Sequence, residues 1–134
     1  RQMCIRDRFR TDLSQLGGKE AENWPFTAIR LDNGNTVISL THGNKVIEVD
    51  HEGEVVWKMG NEDVDEPLFQ DPCGVQRLPN GNTVIASYGA QQGVKLFEVT
   101  PEKEVVWRYQ GEFRVHHFQI LTTNGVALTS LPLK

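Results

Sequence analysis

Short apolar runs, five or six residues long and rich in β-branched side chains, fill this chain from residue 27 to residue 109. Each run ends at a polar turn. TAIRL (27–31), NTVISL (35–40), KVIEVD (45–50) and EVVWKM (54–59) read as four consecutive strands. Within the third, Val46 and Glu48 lie on the face opposite Ile47 and Val49, because side chains alternate along a strand. The dipeptide Asn33-Gly34 joins the first two runs, and a two-residue type I′ turn is the expectation there. No window keeps a helical 3.6 period with caps. Only TDLSQLGGKEAEN (11–23) has room for a weak helical turn.

The same pattern then repeats. RLDNGNTVISL (30–40) returns as RLPNGNTVIAS (77–87) at an offset of 47, while Val49 and Trp57 return as Val99 and Trp107 at an offset of 50. Three residues have entered between, and SYGAQQG (87–93) is the stretch whose composition tolerates them. The second copy runs GVQRL, NTVIAS, VKLFEV and EVVWRY, with Asn80-Gly81 at its first turn. A third copy starts at HHFQILTTNG (116–125). There Gln119 matches Gln76 at an offset of 43, and Asn124-Gly125 match Asn80-Gly81 at 44.

Four antiparallel strands per unit, recurring every 47–50 residues, are the pattern of a β-propeller blade. One meander cannot bury both its faces, and repetition supplies the neighbours that do so. The alternative is a small β-sandwich made by duplication. The expectation is therefore an all-β, partial β-propeller with two four-stranded antiparallel blades and the start of a third. Its divisions are a poorly structured segment at 1–23, blades at 24–60 and 72–110, a connection at 61–71 and an incomplete blade at 111–134. Propellers close with roughly four to eight blades, so the chain reads as a fragment of a larger protein.

Composition narrows the function classes. The 134 residues carry a net charge of −4, and no run of about 18 apolar residues exists to span a membrane. Four of the 14 basic residues crowd into the first ten. Without that segment 10 basic residues face 17 acidic ones. A body this acidic lacks the clustered basic face that nucleic acid requires. The opening MCIRDR resembles a translated sequencing-adaptor remnant, so residues 1–8 are set aside, and the start of the chain says nothing about secretion. Cys4 and Cys73 make neither a disulfide framework nor a metal spacing.

RLPNGNTVI (77–85) and EVDHEGEVVW (48–57) resemble bacterial propellers related to quinoprotein dehydrogenases and arylsulfotransferases. The second phrase is similar to the tryptophan-docking motif of the quinoprotein group, with Asp50, Gly53 and Trp57 in the same order. One residue, usually a Thr, is missing before that Gly. In the second copy Thr100 and Lys103 replace Asp and Gly, leaving Trp107 alone. The resemblance implies that such a Trp packs between blades, and it favours a periplasmic or secreted setting. For an arylsulfotransferase-like enzyme it implies a channel-facing His as nucleophile.

The innermost strand of a blade lines the channel, so the residues entering TAIRL, GVQRL and HFQIL are the site candidates. They are Pro25-Phe26, Pro72-Cys73 and His116-His117. His116 or His117 is a candidate base, nucleophile or ligand, with strict alternation allowing only one of them to face the channel. The alternative is a His bonded to loop backbone at a blade junction. Arg30 and Arg77 share one blade position and suit either an anion or salt bridges to neighbouring acids. Gln76, Gln119 and Cys73 complete the candidate binding set, Cys73 also reading as a small buried hydrophobe. NEDVDE (61–66) spaces oxygens at Asn61, Asp63 and Asp65 like the start of a calcium loop, but Glu66 stands where a Gly is needed and Pro72 where the last ligand belongs. No cofactor is expected beyond that weak Ca²⁺ pattern.

Two functions fit these residues. One is a non-catalytic binding or interaction scaffold, holding a small ligand, a glycan or a protein at the channel rim beside the remaining blades. The other is part of an arylsulfotransferase-like enzyme that moves a sulfuryl group through His116 or His117. A quinoprotein dehydrogenase is a weaker third, because its ligand set is not visible.

Overall fold

The computed structural model describes residue 16 and residues 23–90 and 93–128. The expected loose segment 1–23 falls outside that set except for Leu16 and Asn23, as does Cys4. Among the described residues the fold is all-β: two four-stranded antiparallel sheets and one small hairpin. The first sheet is β1 (Pro25–Arg30), β2 (Thr36–Leu40), β3 (Lys45–Val49) and β4 (Val55–Gly60), each paired with the next. The second is β5 (Pro72–Arg77), β6 (Thr83–Ser87), β7 (Val94–Val99) and β8 (Val105–Gln110). A single 3-10 turn, Asn61–Asp63, lies between the sheets.

The turns differ from the expectation. Asp32, Asn33 and Gly34 form a three-residue loop, closed by Gly34 N–H to Leu31 O (3.0 Å) and Leu31 N–H to Asn35 O (2.8 Å). Only Gly34 of these has a positive φ, +89°. A type I turn followed by one left-handed residue satisfies the strand twist as well as a type I′ pair does. The loop at Asp32–Gly34 recurs at Pro79–Gly81. The β9–β10 hairpin (Thr122–Thr123, Val126–Ala127) does use a left-handed pair, Asn124 and Gly125.

EVVW holds two adjacent Val residues, which strict alternation would send to opposite faces. A bulge resolves this in both sheets. Val49 pairs Val55 while Glu48 pairs Trp57, leaving Val56 as the extra residue, and Val99, Val105, Glu98, Trp107 and Val106 copy the arrangement. Val56 and Val106 are consequently exposed. Each Trp thereby sits across the ladder from its Glu.

The sheets stack with β5 against β1 and β2, the inner edge, while the outer strands splay. Val37, Val46 and Met59 of the first sheet and Val75, Ile85, Phe97 and Val99 of the second share one buried core. Phe69, from the connection, meets Phe97 edge to face at 5.0 Å. The opposite face of the first sheet buries Leu40, Ile47 and Val49, with Leu16 packed on them. Both faces of β3 are thus covered, as a blade between neighbours requires. This is a β-propeller arrangement.

Candidate functional site

The blades are joined by a polar clasp as well as by the core. Glu48 leaves the first sheet toward the second, and Arg77 reaches back to it, Nη2 to Oε2 at 2.6 Å. Asn35 Nδ2 donates to the other carboxylate oxygen at 2.8 Å, and Arg77 Nε donates to Thr83 Oγ1 at 3.0 Å. Burial opposes ionisation of Glu48. The hydrogen bonds from Asn35 and Arg77, the charge of Arg77 and a contact from Asn33 outweigh it and hold the carboxyl below its ordinary 4.5. Farther out, Trp57 Nε1–H donates to Pro101 O of the second sheet at 3.0 Å.

Arg77 is therefore engaged in an inter-blade ion pair rather than in a stacked anion site with Arg30. Arg30 lies on the face pointing away from the second sheet, where its Nη1 donates to Gly34 O at 2.8 Å. Two of the three candidate oxygen residues of the acidic connection, Asn61 and Asp63, are also engaged. Asn61 exchanges two hydrogen bonds with the Phe69 backbone, and Asp63 takes Gly60 N–H and Lys103 Nζ. Among the described residues no group of three or more His, Cys, Asp or Glu side chains could hold a metal ion.

At the inner edge a serine bridges the innermost strands of the two sheets, β1 and β5. Thr27 N–H donates to Ser39 Oγ, and Ser39 Oγ donates to Cys73 O at 2.7 Å. One blade later Ala86 stands at the Ser39 position and has no hydroxyl. There Gly74 N–H donates straight to His116 O at 3.0 Å, and a Cβ on Gly74 would lie only 3.0 Å from that oxygen. Gln76 completes the docking of the third segment. Its Oε1 accepts Ile120 N–H at 2.7 Å and its Nε2 donates to Ile120 O at 3.2 Å. These bonds fix the third register: His116 matches Cys73 and Phe26, and Ile120 matches Arg77.

His116 and His117 then meet residues from both earlier blades. Phe26 lies 4.6 Å from the His116 ring, edge on, and 5.7 Å from the His117 ring. The two imidazoles are 4.9 Å apart, and Tyr88, just past β6, lies 5.0 Å from His116. Arg114 places its guanidinium 5.3 Å above the Tyr88 ring. Both His rings join the cluster, contrary to the alternation rule, because residues 116–120 lie beside β5 without forming a regular ladder strand. Both are exposed, and neither ring nitrogen has a hydrogen-bond partner among the described residues. Trp24 and His42 stand on the same rim, 6.0 Å apart.

Gln119 is exposed beside this cluster without a described hydrogen bond. Cys73 is buried beneath it; burial pushes its thiol above 9.0, the charge of Asp71 adds to this, and a hydrogen bond with Thr41 opposes it. The repeat offsets indicate Phe26 as a member of the cluster. Tyr88 and Arg114 lie where the repeats diverge, and no spacing in the sequence points to them.

No protein-family model and no curated protein matches the chain. Solved structures do. A protein of unknown function from Bacteroides caccae superposes with a TM-score of 0.60 at 22% identity, over 69% of this chain and 38% of that one. A streptogramin B lyase gives 0.53 at 13%, over 69% of this chain and 28% of that one. A catalytically inactive virginiamycin B lyase from Staphylococcus aureus with quinupristin gives 0.53 at 14%, over 73% and 30%. The chain thus spans between about a quarter and two fifths of these propeller-like proteins. At such identities the likeness is one of fold.

Proposed function

We propose that the chain is a non-catalytic binding scaffold, two blades and the inner edge of a third from a larger propeller, with its ligand surface at the rim around His116 and His117. The observation that carries this reading is the ring cluster itself. Phe26, Tyr88, His116 and His117 come from three successive repeats, yet they touch. Inner-strand entries converge there because the blades share one axis. Exposed rings with unengaged nitrogens offer stacking faces and hydrogen bonds to a small ligand, a glycan or a protein loop. The test is a titration with panels of small aromatic ligands and glycans, following the His116 and His117 ring signals by NMR. Ligands that shift those signals should lose affinity in Phe26→Ala and His117→Ala. A panel that shifts neither ring, or binding that survives both substitutions, sinks the proposal.

An enzymatic reading has one observation in its favour: both imidazoles have nitrogens available to attack. In an arylsulfotransferase-like reaction, one nitrogen would take the sulfuryl group as the S–O bond to the aryl leaving group breaks. A phenol acceptor would then remove that group and restore the imidazole. The propeller-like lyases with this fold are enzymes, which also supports keeping the reading. Against it, no described side chain bonds the second nitrogen of either ring, and a nucleophilic His is normally oriented by such a bond. Incubation with an aryl sulfate donor and a phenol, repeated with His116→Ala and His117→Ala, separates the readings. Turnover lost in one variant favours the enzyme; no turnover favours the scaffold.

A further inference from the structure

The dipeptide Asn-Gly occurs three times, at 33–34, 80–81 and 124–125, each time at the first hairpin tip of a repeat. Asparagine is a chemically labile side chain, and a following glycine has no Cβ to obstruct its backbone nitrogen. That nitrogen can attack the asparagine Cγ. The side-chain nitrogen then leaves as ammonia, carrying away the proton of the glycine N–H, and a five-membered succinimide forms. Water opens the ring at either carbonyl to give aspartate or isoaspartate. The net change is one water gained and one ammonia lost, with no oxidant or reductant. The attack requires a glycine N–H that is not held by an acceptor and a side chain that can swing over it.

The first two copies meet neither requirement. Gly34 N–H donates to Leu31 O and Gly81 N–H donates to Leu78 O, each at 3.0 Å. Asn33 Oδ1 accepts Asn35 N–H at 2.9 Å, and Asn80 Oδ1 accepts Asn82 N–H at 3.0 Å. Those side chains are thus tied to the backbone two residues on. The third copy meets both. Its loop has two residues, Asn124 (φ +51°) and Gly125 (φ +78°), between the paired Thr123 and Val126. The bond that closes such a turn joins the flanking residues and leaves the second central N–H outside it. Among the described residues neither Gly125 N–H nor the Asn124 side chain has a hydrogen-bond partner. All three asparagines are exposed, so solvent access does not rank them.

We propose that Asn124 is a site of spontaneous deamidation in the folded chain, while the loops at Asn33 and Asn80 protect the same dipeptide from the same reaction. The product has a structural consequence. Isoaspartate at position 124 adds a methylene to the main chain and a negative charge at the hairpin tip. A two-residue turn cannot absorb the extra length without releasing Val126 from Thr123.

The experiment incubates the full chain in mildly alkaline buffer, with and without denaturant, and follows the three dipeptides by peptide mapping and mass spectrometry. In the folded chain Asn124 should convert at least tenfold faster than Asn33 and Asn80. In denaturant the three sites should convert at similar rates, because each then has the same unrestrained dipeptide. Amide hydrogen exchange checks the cause independently: Gly125 N–H should exchange at least tenfold faster than the N–H groups of Gly34 and Gly81. Conversion of Asn33 or Asn80 as fast as Asn124 in the folded chain, or no conversion of Asn124, overturns the proposal. So does a ranking that survives in denaturant, which would place its cause in the sequence rather than the fold. Equal exchange at the three glycines overturns the protection by the loops.

Discussion

Glu48 and Arg77 occupy different blades and meet at 2.6 Å, the carboxylate held on its other side by Asn35. Both side chains are largely buried, so removing either leaves a charge without its partner. Arg77→Leu should destabilise the chain by about 2 kcal/mol or more, measured by urea unfolding. The pH dependence follows from the lowered carboxyl. A depressed acid stabilises fully above its ordinary value of 4.5, and that stability is lost as the pH falls through the lower folded value. Unfolding midpoints measured from pH 7 downward should fall there in the wild type and fall less in Glu48→Gln. Identical acid profiles would remove Glu48 from the clasp.

Gly74 makes no room for a side chain, since His116 O and the His117 Cα lie 3.0 and 3.3 Å from where its Cβ would be. Gly74→Ala should push the third segment off β5 and cost about 1–3 kcal/mol, as overpacking does. The same substitution should shift the His116 and His117 ring signals. Unchanged ring signals would mean that the segment does not lie against Gly74.

Much of this arrangement was legible in the repeat, and some of it was not. Strand positions followed the apolar runs because each run buries a face, and the Trp offset of 50 marked the same blade position twice. The turn at Asp32–Gly34 departs from the two-residue expectation because Asn-Gly serves both a two-residue and a three-residue loop, and only the hydrogen-bond closure separates them. Alternation separates His116 from His117, but it holds only in regular strands, and here both rings lie against Phe26. A salt bridge is one of the two expectations for Arg77, but its partner Glu48 is not legible, because the two are 29 residues apart with no spacing rule between blades. Tyr88 and Arg114 escaped because no repeat position marks them.

The two Trp copies should behave differently. Trp57→Phe removes the bond to Pro101 O and should cost about 0.5–1.5 kcal/mol beyond any change in packing. Trp107→Phe removes no described hydrogen bond and should cost less in the same urea titration. Equal losses would contradict the asymmetry between the two faces.

Cys73 should be inert in the folded chain. Burial pushes its thiol up, and the thiolate is the reactive form. In a Cys4→Ser variant, a thiol reagent at pH 7 should label Cys73 only after denaturant is added. Stoichiometric labelling of the native variant would place Cys73 at the surface.

The stacking of the repeats face to face is tested most directly by a nuclear Overhauser spectrum of the Trp57 indole N–H. A cross-peak to Pro101, 44 residues away in the second sheet, is the predicted result. Cross-peaks confined to the first sheet would contradict the stacked-blade fold.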